Sequence, residues 1–104
     1  MLTDQTRSQI ESAIKSNKVV IFMKGSLQAP QCGFSARSVE ILQSYGTPIK
    51  DFNIFENEEL RQGIKEFTNW PTIPQIFING EFVGGCDILT EMHENGELAT
   101  LLKS

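Results

Sequence analysis

The chain has 104 residues, 39% of them hydrophobic and 21% charged, with nine lysines and arginines against thirteen acidic residues and a formal charge of −4. That is enough chain for one domain, residues 1–104, with a single core that needs no staples. The acidic balance and the lack of a clustered basic footprint exclude nucleic acid and an anionic membrane surface as main partners. No apolar run approaches the roughly 18 residues of a spanning helix.

The start, Met1-Leu2-Thr3-Asp4, has neither a basic n-region nor an apolar h-region, so a cytoplasmic protein is expected. Ile10, Ala13 and Ile14 share one helical face, with Thr3 or Asp4 as N-cap and Asn17 as a stop, which predicts a first helix to about Ser16. Lys18 to Met23 is β-branched and apolar on both faces, the pattern of a central strand. Gly25, Ser26 and Pro30 then mark a loop that delivers the chain to Cys32. A second helix is expected from Gly33 to Tyr45, closed by Gly46 and Pro48.

Lys50 to Phe55 alternates as a second strand, with Phe52 and Ile54 on one face. Asn57 is the expected N-cap of a third helix with Leu60, Ile64 and Phe67 at i, i+4 and i+7. Trp70-Pro71-Thr72-Ile73-Pro74 ends it. Two short strands follow, Gln75 to Ile78 and Glu81 to Val83, around the hairpin signal Asn79-Gly80. Asp87 is expected to cap a fourth helix to about Asn95, and Gly96 separates this from a last amphipathic turn with Leu98, Leu101 and Leu102. His93, on an amphipathic helix, is expected at the surface. This order requires a parallel βαβ unit and an antiparallel hairpin in one mixed sheet with helices on both faces, an α/β arrangement of thioredoxin-like type.

The two cysteines, Cys32 and Cys86, lie far apart in sequence and form no Cys-x-x-Cys pair, which excludes a zinc site within one chain. Free thiols are the expected state in a reducing compartment. Cys32 stands where a helix begins, so unpaired N–H groups favour its thiolate, and Lys24 adds a cation upstream; the competing role is that of a small buried hydrophobe. Ser35 takes the place of a second thiol, so a mixed disulfide at Cys32 has to be resolved by another thiol.

Pro74 is either an ordinary strand starter or a cis-proline that leaves the Ile73 backbone free to pair with a peptide-like ligand. Gly84-Gly85-Cys86-Asp87 offers free N–H groups for a carboxylate and Asp87 for an ammonium, or else a plain glycine turn with a capping aspartate. Lys24 and Arg61 are either two solvated charges or a clamp for a second carboxylate.

These pieces together, Lys24-Gly25, Pro30-x-Cys32-Gly33-Phe34-Ser35, Trp70-Pro71-Thr72-Ile73-Pro74-Gln75 and Gly84-Gly85-Cys86-Asp87, resemble the monothiol glutaredoxins of the Cys-Gly-Phe-Ser type along essentially the whole chain. The resemblance implies a thioredoxin-like (glutaredoxin) fold with a four-stranded mixed sheet and a cis peptide at Ile73-Pro74. It implies glutathione as ligand, its cysteinyl backbone on Ile73, its γ-glutamyl end at Cys86 and Asp87, and its glycine carboxylate on Lys24 and Arg61, with Lys65 and Thr72 as contributors. It also implies a labile [2Fe–2S] cluster shared by a homodimer. Such a cluster needs four thiolates, met by Cys32 of each chain and two glutathiones in preference to Cys32 and Cys86 of both chains, because the motif match sets Cys86 against the γ-glutamyl group. The implied function is transfer of the cluster to acceptor apo-proteins, with BolA-type proteins as further partners. The alternative is a glutathione-dependent thiol oxidoreductase acting on protein–glutathione mixed disulfides, of weak activity in this class.

Overall fold

The computed structural model describes residues 2–103. The elements are α1 (Asp4–Ser16), β1 (Val19–Met23), α2 (Gly33–Gln43), β2 (Ile49–Asn53), α3 (Glu58–Thr68), β3 (Gln75–Ile78), β4 (Glu81–Gly84), α4 (Cys86–Asn95) and α5 (Glu97–Lys103). The four strands form one mixed sheet in the order β2-β1-β3-β4. β1 runs parallel to β2 and antiparallel to β3, and β3 to β4 is the antiparallel hairpin. This is the expected α/β topology.

All five residues of β1 are buried, because both faces of the sheet are covered. Its alternate side chains divide the core. Val19, Ile21 and Met23 pack with Ile41 and Leu42 of α2, Leu89 of α4 and Leu98 of α5. Val20 and Phe22 face Ile10 of α1 and Leu60 and Ile64 of α3. Phe52 stacks on Phe22 with ring centroids 5.0 Å apart, and Ile54 is buried in the same cluster, so the shared face read for these two residues holds.

The caps explain most element boundaries. The Thr3 hydroxyl accepts the Thr6 N–H at the start of α1, and the Asn57 carboxamide accepts the Leu60 N–H at the start of α3. α3 stops at Asn69, which adopts the left-handed conformation at φ 55°.

Four expectations need correction. The second strand ends at Asn53, not Phe55. The Asn53 carboxamide accepts the Phe55 N–H and closes a single 3₁₀ turn, Ile54–Glu56, leaving the Phe55 ring exposed. α2 ends at Gln43, because the following residues tighten into a turn in which the Gly46 N–H meets the Gln43 carbonyl. Asp87 does not cap α4. Gly85 occupies that position, and Asp87 lies in the first turn, where its charge still complements the helix dipole. His93 is half-buried rather than exposed, its Nδ1 paired with the hydroxyl of Tyr45 in the turn after α2.

Candidate functional site

Parallel pairing of β1 and β2 brings the loop after β1 and the start of α2 to one end of the sheet, where the loop before β3 and the start of α4 also converge. The loop after β1 is tied in place by side chains of β2. Asn53 Oδ1 accepts the Gly25 N–H at 3.1 Å and Asp51 Oδ2 accepts the Leu27 N–H at 2.9 Å. Within the loop the Gln31 N–H donates to the Lys24 carbonyl at 2.8 Å. Gly25 is required there: its φ is +92°, and a Cβ would lie 2.4 Å from the Ala29 carbonyl oxygen.

Cys32 is the N-cap residue of α2, in extended backbone and partly exposed, with a free thiol. The Ser35 N–H holds this thiol below the ordinary thiol range. The Phe34 N–H and the Lys24 ammonium act in the same direction, against the opposing effect of partial burial. Ser35 itself is fully buried, and its hydroxyl accepts the Lys24 N–H at 3.1 Å. The residue standing where a second thiol would be thus fastens β1 to α2.

The Ile73-Pro74 peptide is cis. Gln75 anchors the segment before it: wholly buried, it donates from Nε2 to the carbonyls of Trp70 and Thr72 and accepts the Thr68 hydroxyl. The Ile73 N–H and carbonyl have no hydrogen-bond partner among the described residues. The chain edge beside the cis peptide is therefore open for pairing. Gly85 packs closely against it, since a Cβ there would sit 3.3 Å from the Pro74 carbonyl oxygen and 3.5 Å from Trp70 Nε1. That indole N–H is buried without a hydrogen-bond partner.

Lys24, Arg61, Ile73, Cys86 and Asp87, separated in sequence, line a single open groove of about 410 Å³, with Lys65 and Thr72 beside them. Arg61 stands one helical turn from Glu58 and pairs with it at 3.3 Å. The Glu58 carboxyl is held below its usual range by the Gln62 carboxamide first and by Arg61 next. Cys86 is buried with a free thiol at the start of α4. The N–H groups of that first turn have no side-chain cap.

Cys32 opens into an adjoining depression of about 500 Å³, which shares Phe34, Cys86 and Asp87 with the first groove. Phe34, 64% exposed, forms the ridge between the two. Sequence reasoning gave no role to Phe34, Gln75, Asn53 or Asp51. Phe34 was legible as an apolar residue in the exposed first turn of a helix, whereas the other three act on partners far along the chain.

A helix-flanked four-stranded sheet with a partly exposed thiol at the start of α2 and a cis-proline ahead of β3 defines a thiol protein of thioredoxin-like fold. The glutaredoxin family model matches residues 19–83. An uncharacterized monothiol glutaredoxin of Synechocystis is 48% identical over 98% of this chain and 95% of its own length. A probable monothiol glutaredoxin 2 of Rickettsia felis is 55% identical over 90% of each chain. The mitochondrial monothiol glutaredoxin-5 of Schizosaccharomyces pombe is 51% identical over 99% of this chain and 73% of its own. Among solved structures, reduced apo GrxS14 of poplar superimposes with a TM-score of 0.83 at 49% identity, covering 93% of this chain and 89% of that one. The chain belongs to the glutaredoxin family, as a monothiol glutaredoxin. Its relatives come from bacteria and from organelles, and no helix among the described residues is long and apolar enough to cross a membrane.

Proposed function

We propose that this monothiol glutaredoxin binds glutathione in the groove and, acting as a single domain of residues 1–104, shares a labile [2Fe–2S] cluster with a second copy for delivery to acceptor apo-proteins. One observation carries the reading. The open Ile73 backbone, the uncapped N–H groups at Cys86 and Asp87, and the Lys24 and Arg61 cations surround one groove whose wall, Phe34, adjoins the Cys32 thiol. A peptide-like ligand with a carboxylate at each end and an ammonium at one matches that arrangement. Ile73 pairs its backbone, Lys24 and Arg61 take its glycine carboxylate, the start of α4 takes the other carboxylate, and Asp87 takes the ammonium.

The cluster is cargo, and the donor set fits a shared one. No three His, Cys, Asp or Glu side chains gather to hold a metal among the described residues. A single chain thus offers Cys32, poised toward thiolate at a partly exposed helix start, and the remaining ligands come from outside it. Two Cys32 thiolates and two glutathione thiolates make four. Exchangeable ligands suit release to acceptors. Free thiols on both cysteines fit a reducing compartment such as the cytoplasm.

The lowered Cys32 pKa also favours a second reading, a glutathione-dependent oxidoreductase in which the Cys32 thiolate removes glutathione from a mixed disulfide and a second glutathione regenerates it. Anaerobic reconstitution with iron, sulfide and glutathione separates the two. The carrier gives a coloured dimer that passes its cluster to an apo-protein and becomes a colourless monomer when glutathione is removed. Cys32→Ser abolishes the colour and Cys86→Ser leaves it largely intact. A colourless monomer with brisk deglutathionylating activity overturns the carrier reading, and loss of colour in both variants points to a four-cysteine cluster instead.

A further inference from the structure

The depression into which Cys32 opens adjoins the groove assigned to glutathione and shares Phe34, Cys86 and Asp87 with it, while Gly33, Arg37 and Thr90 line the depression alone. Its walls are Gly33, Phe34 and Arg37 of α2 and Asp87 and Thr90 of α4. Whatever meets the Cys32 sulfur from outside the glutathione groove has to enter here, over the exposed Phe34 ring.

Charge defines what that visitor is. Asp87, Glu91 and Glu94 stand at i, i+4 and i+7 of α4, all exposed, so they form one stripe along the helix face that starts at the depression. None of the three carboxylates has an ion-pair partner among the described residues. On the opposite wall Arg37 is already matched by Glu40 at 2.9 Å, so the one cation of the depression is offset by a carboxylate of its own helix. α4 itself carries no lysine or arginine, and its His93 is engaged by Tyr45. The Cys32 sulfur stands at the head of the stripe and adds a further negative charge once it is deprotonated to react.

We propose that the depression and the α4 stripe form the docking surface for the protein segment that exchanges with Cys32, and that this segment is basic. It presents a cysteine to the depression and lysines or arginines to Glu91 and Glu94. Exposed charges of this kind act mainly on the rate of encounter, and salt removes their effect. The inference rests on the reactivity of Cys32 and not on the glutathione or cluster readings.

Synthetic peptides of equal length provide the test, each with one cysteine activated as a mixed disulfide with 5-thio-2-nitrobenzoate and flanked by either lysines or glutamates. The Cys32 thiolate attacks the peptide sulfur, a new disulfide joins Cys32 to the peptide, the original S–S bond breaks, and the coloured thionitrobenzoate leaves with the bonding electron pair. At low ionic strength the lysine peptide should react about tenfold faster than the glutamate peptide. In Glu91→Gln/Glu94→Gln that ratio should fall to about threefold or less, and in high salt it should approach one in both proteins. Glutathione affinity should be unchanged in the double variant. A wild-type ratio at or below one overturns the proposal, as does a ratio that the double variant leaves unaltered. Failure of the wild type to bind glutathione would overturn the glutathione reading and leave this rate ratio fully interpretable.

Discussion

The hydroxyl of Ser35, buried in the first turn of α2, accepts the backbone N–H of Lys24 where the chain leaves β1. This bond joins the two elements that flank the reactive cysteine. Ser35→Ala leaves that N–H without its acceptor, and the protein should lose about 1–2 kcal/mol, read as a lower midpoint in urea unfolding. The thiolate should suffer little, because the main support of its charge is the Ser35 backbone N–H, which alanine keeps, while the hydroxyl contributes least. Alkylation rates against pH should therefore give nearly the same inflection in both proteins.

The lowered pKa of Cys32 makes its own prediction about pH. Alkylation by iodoacetamide should inflect below the ordinary thiol range in the wild type. Stability follows by linkage. Between the lowered folded value and the ordinary unfolded one, the unfolded chain binds the extra proton, so stability rises with pH. The gain is complete above the unfolded thiol value and is lost as pH falls through the folded one. Unfolding free energies measured across that interval should climb for the wild type relative to Cys32→Ser. A constant difference between the two proteins would show that the folded site does not favour the thiolate.

Much of this site was legible before any coordinates. Cys32 at a helix start, Lys24 upstream of it, Arg61 on the third helix and the Ile73-Pro74 step all follow from local pattern and motif, because helix starts, turns and prolines are set by near neighbours. The misplacements have a common cause as well. The end of β2 depends on the Asn53 side chain turning back onto the Phe55 N–H, and Gly85 rather than Asp87 begins α4 because the backbone there packs against Pro74 and Trp70. Gln75 was only a motif letter, since its three partners become visible when α3 and the loop before β3 are folded together. Composition could not decide the cis peptide, because cis X–Pro bonds are a small minority and local sequence barely distinguishes them. It was expected from the family motif alone.

Gln75 is therefore the residue whose loss should cost most outside the apolar core. Gln75→Ala removes a fully buried side chain, leaves the carbonyls of Trp70 and Thr72 short of a donor, and opens a cavity, while the Thr68 hydroxyl keeps the Ile64 carbonyl as its acceptor. Together these should destabilise the protein by about 3 kcal/mol, a large share of the stability of a domain of this size. Glutathione affinity should fall as well, because the Ile73 edge loses the bonds that fix its neighbours. Urea unfolding and calorimetric titration measure the two effects separately, and a loss of affinity with unchanged stability would contradict this view of Gln75.

Glu58 and Arg61 provide a case in which removing an ion pair should help binding. Their 3.3 Å contact spans one turn of α3, with both side chains substantially exposed, so it contributes little to folding. It also occupies the guanidinium assigned to the ligand's glycine carboxylate. Glu58→Gln should leave unfolding almost unchanged and raise glutathione affinity by up to about twofold. Arg61→Ala should lower affinity about tenfold, in line with the loss of a charge-assisted hydrogen bond worth about 1.5 kcal/mol. Both effects should shrink in high salt. If Arg61→Ala binds as tightly as the wild type, the carboxylate lies elsewhere, and Lys24 with Lys65, which line the same groove, become its holders.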